Sequence, residues 1–274
     1  MARRLLGAGF PVAVYNRDRT KAAALKTAGA VVADSPREAA AGAAIMISMV
    51  ADDAASRAIW LGEQGGLAGA ARGAVLIECS TLTVSWVNEL ARAAAARGLE
   101  LIDAPVAGSK PSAASGELKF LVGGGAAALE KVRPALNAMG QSITHFGPTG
   151  SGARVKLINN FMAGVHVVAW AEALTWIEQS GLDRGKTVDF LLAGATGSPI
   201  AKTIAPRMIA DDYAPNFFLK LMAKDLGYAI SEAAAQGGKL TTAAAALERF
   251  KQALAAGHGE KDMAAVVLPL RGKS

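Results

Sequence analysis

A lysine and an asparagine stand four residues apart in the run Gly150-x-Gly152-x-x-x-Lys156-x-x-x-Asn160. Val155, Leu157, Ile158 and Phe161 around them are apolar, so the spacing predicts a helix carrying both polar groups on one face. A polar group in an apolar helix needs a partner or a function. Desolvation favours a neutral amine, which makes a buried lysine a usable proton donor and acceptor near neutral pH. On spacing alone, a lysine that snorkels to the surface is the plainer reading. Two further stretches carry polar groups at marked positions. In "DAPVAGSKPSAASGELKFLVGG" (103–124), Asp103 ends an apolar run, Pro105 stops it, and Gly108 opens a loop of small residues. Backbone amides in such a loop can converge on a carboxylate, although the composition also fits an ordinary connection. In "LKLMAKDLGYAI" (219–230), Lys224-Asp225 interrupts an apolar helical pattern and reads, by spacing, as an exposed ion pair.

The elements that must position these groups alternate through the first half. Strands are predicted at 11–16, 30–33, 44–50, 74–80, 99–106 and 117–124. "AIMISMV" and "AVLIECS" are continuous apolar runs, as expected of parallel strands covered on both faces. Helices are predicted at 19–29, from the Ser35-Pro36 cap, near 52–60 and at 83–98. Alternation of this kind argues for a doubly wound, mostly parallel sheet, which binds ligands at the carboxyl ends of its strands. After "SITHFGPTGSG" no further strand is predicted. A long helix over about 153–180 leads into helices broken at Gly181, Gly197-Ser198-Pro199, Tyr213-Ala214-Pro215 and Gly237-Gly238. The expected organisation is an α/β domain over 1–148 and an all-helical domain over 149–274.

The chain opens with "MARRLLGAGFPVAVYNRDR", a short amphipathic helix and then a strand ending at Asn16-Arg17-Asp18. That is the second half of a βαβ unit. The expectation is a Rossmann-type sheet whose first strand and glycine loop are missing, with a gap and apolar edges beside "VAVYN" and "IMISMV". The residue ending the second strand of a dinucleotide fold meets the adenosine ribose. An acidic residue there suits NAD and an arginine suits the 2′-phosphate of NADP. Arg17, with Arg19 beside it, favours NADP(H), while Asp18 keeps NAD(H) open.

Composition narrows the classes further. The 274 residues are 52% hydrophobic and 19% charged, enough apolar material for one or two cored domains. The net charge of +6 is spread without basic runs or interleaved aromatics, so no nucleic-acid partner is expected. One cysteine, Cys79, permits no internal disulfide and suits a reducing cytoplasm. His145, His166 and His258 lie far apart, so no metal site is expected. Arg3-Arg4 before "LLGAGFPVAV" resembles a signal peptide only superficially, because Arg17, Asp18 and Arg19 follow at once. The apolar stretch 155–177 carries Lys156, Asn159, Asn160, His166 and Glu172, so a buried helix rather than a membrane span is expected.

Taken in order and at these spacings, the motifs resemble the β-hydroxyacid dehydrogenase family of 6-phosphogluconate dehydrogenase-like enzymes. This family includes 3-hydroxyisobutyrate dehydrogenase, tartronate semialdehyde reductase and glyoxylate/succinic semialdehyde reductase. The resemblance rests on Asn16-Arg17, "MV" at 49–50, "ECST" at 78–81, "DAPVAGSK" at 103–110, the Gly150 to Asn160 signature and Lys224-Asp225-Leu226, and runs from Met1 to about Leu270. "APVxGSK" is most similar to the glyoxylate/succinic semialdehyde reductase branch.

The resemblance implies an N-terminal Rossmann domain, an all-helical C-terminal domain and a homodimer or homotetramer. It implies hydride transfer between NADP(H) or NAD(H) and a small aldehyde acid or hydroxy acid. Lys156 becomes the acid/base, and Ala107, Gly108, Ser109 and Asn160 the substrate-binding groups. Asn16, Arg17, Met49, Val50, Thr81 and Lys224 become cofactor-binding groups. Much of the family has serine where Ala107 stands, so one side-chain donor to the substrate is lost here. Imine reductases of this fold typically lack the lysine, so Lys156 argues for carbonyl chemistry. The alternative is a cofactor-deficient relic that serves as a binding or assembly module. Retention of Lys156, Asn160 and Lys224 favours the enzyme.

Overall fold

The computed structural model describes residues 1–272 and divides into two compact units, Met1–Lys156 and a second that begins at Leu157. The first unit opens with α1 (Ala2–Gly7), β1 (Ala13–Val14), α2 (Arg19–Ala23), β2 (Val31–Val32) and α3 (Pro36–Ala40). It continues with β3 (Ile45–Ser48), α4 (Asp53–Trp60), α5 (Gly66–Gly69), β4 (Val75–Glu78), α6 (Val84–Ala95) and β5 (Glu100–Asp103). β6 (Val106–Ala107), α7 (Lys110–Ser115), β7 (Leu118–Gly123), α8 (Ala126–Met139) and β8 (Gly140–Gly147) follow, and α9 (Ser151–Gln179) begins.

The helices start where short polar side chains meet orphan amides. Asp18 accepts from the Thr20 amide, Ser35 from Glu38, Asp52 from Ala55 and Thr83 from Trp86. α6 buries Val84, Val87, Leu90 and Ala94, one stripe at helical spacing, and packs on β5. Each fully buried Val or Leu contributes about 1.5–3 kcal/mol relative to exposure.

β3, β4 and β5 are parallel neighbours. β7 runs antiparallel to β5 and β6 and parallel to β8, so the six-stranded sheet is mostly parallel, as expected. β1 and β2 pair in a separate two-stranded sheet, and β1 does not pair with β3. The division falls where the gap was expected. Ile45 and Ile47 on β3 are only half-buried, whereas all four residues of β4 are buried. The strand expected over 11–16 shortens to two residues, and the helix expected over 19–29 splits into α2 and a 3₁₀ turn ending at Gly29. β8 escapes periodicity because its burial does not alternate, and Pro134 interrupts the pattern of α8.

The second unit holds the rest of α9, then α10 (Arg184–Ala193), α11 (Pro199–Ile209), α12 (Leu219–Ala235) and α13 (Thr241–Ala255). Two 3₁₀ turns, Met263–Val267 and Pro269–Arg271, follow. By length and composition α9 could cross a membrane. Its Val167, Ala171 and Leu174 instead belong to a core with Ala205, Met208, Leu226, Phe250 and Val267. Buried Asp262 joins two segments of this unit, accepting hydrogen bonds from the amides of Asn216, Phe217 and Ala264.

The first turn of α9 lies against β5 and β7 at backbone distance. A Cβ on Gly152 would sit 2.2 Å from the Leu121 carbonyl oxygen and 2.9 Å from that of Asp103. No rotamer change relieves a clash with backbone. Gly152→Ala is therefore expected to lower stability by about 3 kcal/mol or more. Thermal melting by circular dichroism would show this as a fall in Tm of about 8 °C or more; an unchanged Tm would contradict the packing.

Candidate active site

Asp103 ends β5 and is 1% exposed. Its two carboxylate oxygens accept from the amides of Gly150 and Ala153, each at 2.8 Å. These amides belong to the start of α9, so Asp103 caps the helix that carries Lys156. Burial pushes the Asp103 carboxyl up to about 6, against the opposing pull of the Gly150 and Ala153 amides. Lys156 lies one turn further along and is 7% exposed. Lys156 is thus a buried residue and not the surface lysine that spacing alone suggests.

The loops after β3 and β4 form the rim of the sheet. The Val50 amide donates to Ser80 Oγ at 2.7 Å. Thr83 donates to Asp53 through its amide at 3.0 Å and its hydroxyl at 2.6 Å. Met49 is exposed, and Val50 and Thr81 are half-buried. The Ser48 hydroxyl, at the end of β3, is buried without a partner among the described residues. An orphaned hydroxyl beside an open strand end fits a polar ligand at this rim. Behind the rim, Glu78 is fully buried, and burial raises its carboxyl above the usual range.

Two other predicted stretches lie in this unit. Ala107 and Ser109 are half-buried around Gly108, whose φ of +117° lies in a region that favours glycine. Ser109 precedes α7, but its hydroxyl makes no cap bond. Asn16 and Arg17 are exposed beyond β1, on the separate two-stranded sheet. Asn16 accepts from the Asp18 amide, and Asp18 is itself engaged by Thr20 through the amide and the hydroxyl.

In the second unit, Asn160 is 3% exposed and donates through Nδ2 to Asp225 at 2.6 Å. Lys224 Nζ lies 2.9 Å from the other Asp225 oxygen and 4.8 Å from the Tyr228 ring centre. The exposed ion pair expected at Lys224-Asp225 is thus corrected: Asp225 is 1% exposed. The turn of α12 that carries this pair points its carboxylate into the helical core, where Asn160 meets it.

Residues 1–147 match the family model for the NAD-binding domain of 6-phosphogluconate dehydrogenase. Residues 150–270 match that for NAD binding in NADP-dependent 3-hydroxyisobutyrate dehydrogenase. The chain belongs to the β-hydroxyacid dehydrogenase family. It is 35% identical over 273 residues to an NAD-dependent L-serine dehydrogenase of Pseudomonas aeruginosa, covering 97% of this chain and 92% of that one. It is 33% identical over 267 residues to glyoxylate/succinic semialdehyde reductase 1 of Arabidopsis thaliana, with the same coverage of each chain. A solved 3-hydroxyisobutyrate dehydrogenase of Mycobacterium tuberculosis, described with L-serine, superposes with a TM-score of 0.89 at 30% identity, covering 98% of this chain and 94% of that one. Membership of an oxidoreductase family supports the enzymatic reading over the relic.

Of the predicted residues, Met49, Val50 and Thr81 come together on two loops tied by hydrogen bonds. Asn160 and Lys224 meet through Asp225. Sequence reasoning did not foresee that Glu78, Asp103 and Asp225 are buried acids that anchor their neighbours. One signal was available for the first two: an acidic residue closing an apolar strand must find donors inside the fold.

Asp103→Asn leaves one acceptor for two amides and is expected to cost about 1–3 kcal/mol at pH 7. Burial pushes the folded carboxyl up to about 6, above the ordinary aspartate value of 3.8, so the folded state binds the proton more tightly. This group therefore adds stability as pH falls from about 6 towards 4 and loses it as pH rises through 6. The stability gap between wild type and Asp103→Asn should widen in favour of wild type from pH 7 to pH 5, read by urea denaturation at both values.

Proposed function

We propose that the chain is an NADP(H)-dependent reductase of short aldehyde acids that also oxidises the matching hydroxy acids, in the cytoplasm. The observation that carries the reading is Lys156, buried on a helix whose start is pinned by Asp103 and followed one turn later by Asn160. A bound nicotinamide dinucleotide supplies or accepts the hydride. Lys156, as ammonium, gives its proton to the carbonyl oxygen as charge develops there; as neutral amine it takes the hydroxyl proton in the reverse direction. Asn160, with its amide oriented by Asp225, holds the substrate. The amides around Ala107, Gly108 and Ser109 receive the carboxylate, with the Ser109 hydroxyl unused by a helix cap and available to replace the donor that Ala107 lacks. Met49, Val50 and Thr81 line the dinucleotide, and Lys224 attends its nicotinamide end.

The preference for NADP(H) is supported by Arg17. Its guanidinium is exposed and makes no hydrogen bond or ion pair among the described residues. The neighbouring acid, Asp18, is occupied in capping α2 and is less suited to a ribose hydroxyl. A homo-oligomer is supported by α9, which exposes Ile158, Met162 and Trp176 at helical spacing.

The test is an NADPH-oxidation panel over glyoxylate, succinic semialdehyde, tartronate semialdehyde and methylmalonate semialdehyde, with L-serine oxidation as the reverse arm. Lys156→Ala should lower kcat by about 10²–10⁴-fold with NADPH binding unchanged; full turnover would refute the assignment. Arg17→Ala should weaken NADPH binding by about 10-fold or more and leave NADH binding within twofold, measured by titration of nucleotide fluorescence. Equal losses for both nucleotides would reject the 2′-phosphate role.

A further inference from the structure

We infer that Glu78 is a positioning residue: its buried carboxylate sets the loops that follow β3 and β4, and through them the grip on the dinucleotide. What the loops hold rests on the function proposed above. What holds the loops rests on geometry alone.

Glu78 closes β4 and has no exposed surface. One carboxylate oxygen accepts from the Ser80 amide at 3.0 Å. The other accepts from Ser56 Oγ and Trp60 Nε1, both at 2.7 Å. Among the described residues no cation pairs with it. A buried carboxylate without a counter-ion persists only where hydrogen-bond donors fully occupy it. The contacts have consequences on both sides. Ser80, held through its amide, turns its hydroxyl to the Val50 amide at 2.7 Å. Ser56 and Trp60 belong to α4, whose Asp53 receives Thr83 from the loop after β4. One carboxylate therefore joins α4, the loop bearing Met49 and Val50, and the loop bearing Thr81.

The chemistry requires a group that only accepts. An indole N–H and a backbone amide cannot become acceptors, and they lie on different oxygens of Glu78. A glutamine of the same shape must set its NH2 against one of them. Ser56 is the adaptable partner, because a hydroxyl both donates and accepts.

The experiment compares wild type, Glu78→Gln, Ser80→Ala and the double variant Glu78→Gln/Trp60→Phe. Amide hydrogen exchange at Val50 and Ser80 is read by mass spectrometry without nucleotide, and NADPH affinity by fluorescence titration. Glu78→Gln should speed exchange at both amides at least 10-fold and raise the Kd and KM for NADPH about 10-fold, with kcat at saturation within twofold. Ser80→Ala should speed exchange at Val50. The double variant removes the unmatched indole donor and should recover much of the lost protection and affinity, a rescue that a merely space-filling role would not give. A folded Glu78→Gln with wild-type exchange and affinity would overturn the inference. If Glu78→Gln does not accumulate folded, the double variant decides: restored protection at Val50 supports the role and its absence refutes it. A wild-type chain that binds no dinucleotide defeats the proposed function, while the exchange measurements still decide the role of Glu78.

Discussion

The first turn of α9 touches the ends of β5 and β7 through backbone, and the placement of Lys156 depends on that contact. Gly152 and Gly123 remove the side chains that would hold helix and sheet apart. Asp103 then fills the junction, accepting two helix amides with its two oxygens. A helix start buried without donors or acceptors to match would be costly, and a buried carboxylate without donors would be costlier still. Each offsets part of the other's penalty. The result is a pinned starting point for the 29-residue helix that carries Lys156 one turn further on.

The same device recurs through the molecule. Glu78 is satisfied by an amide, an indole and a hydroxyl; Asp225 by an asparagine amide and a lysine; Asp262 by three backbone amides. Each is at most 1% exposed. In a low-dielectric interior such groups are strong directional anchors when every donor is matched, and destabilising when one is not. They orient what lies beside them: Ser80 and Val50, Asn160 and Lys224, and the segment around Phe217. The side chains proposed to meet ligands are smaller or more exposed, and depend on these acids for their positions.

Alternation of apolar runs and helical stripes was enough to read a doubly wound sheet followed by helices, because parallel strands and amphipathic helices leave strong periodic signals. The separation of β1 from β3 matches the gap expected beside "VAVYN" and "IMISMV". β8 was not legible, because its burial follows no alternation. Lys156 and Asn160 were readable as a pair because their spacing matches one helical turn. Lys224-Asp225 misled, because adjacency in sequence does not say which way a helix faces.

By itself, the sequence determined the alternation of strands and helices through β7, the helical character of the second half, the family, and the residue types able to move a proton or bind a phosphate, since these follow from local pattern and motif spacing. Tertiary structure alone decided which acids are buried and what each holds. Glu78 meets Ser56 and Trp60 across 22 and 18 residues, and Asp225 meets Asn160 across 65. No local pattern encodes such partners. They are selected by the requirement that a carboxylate removed from water find its donors wherever the packed chain brings them.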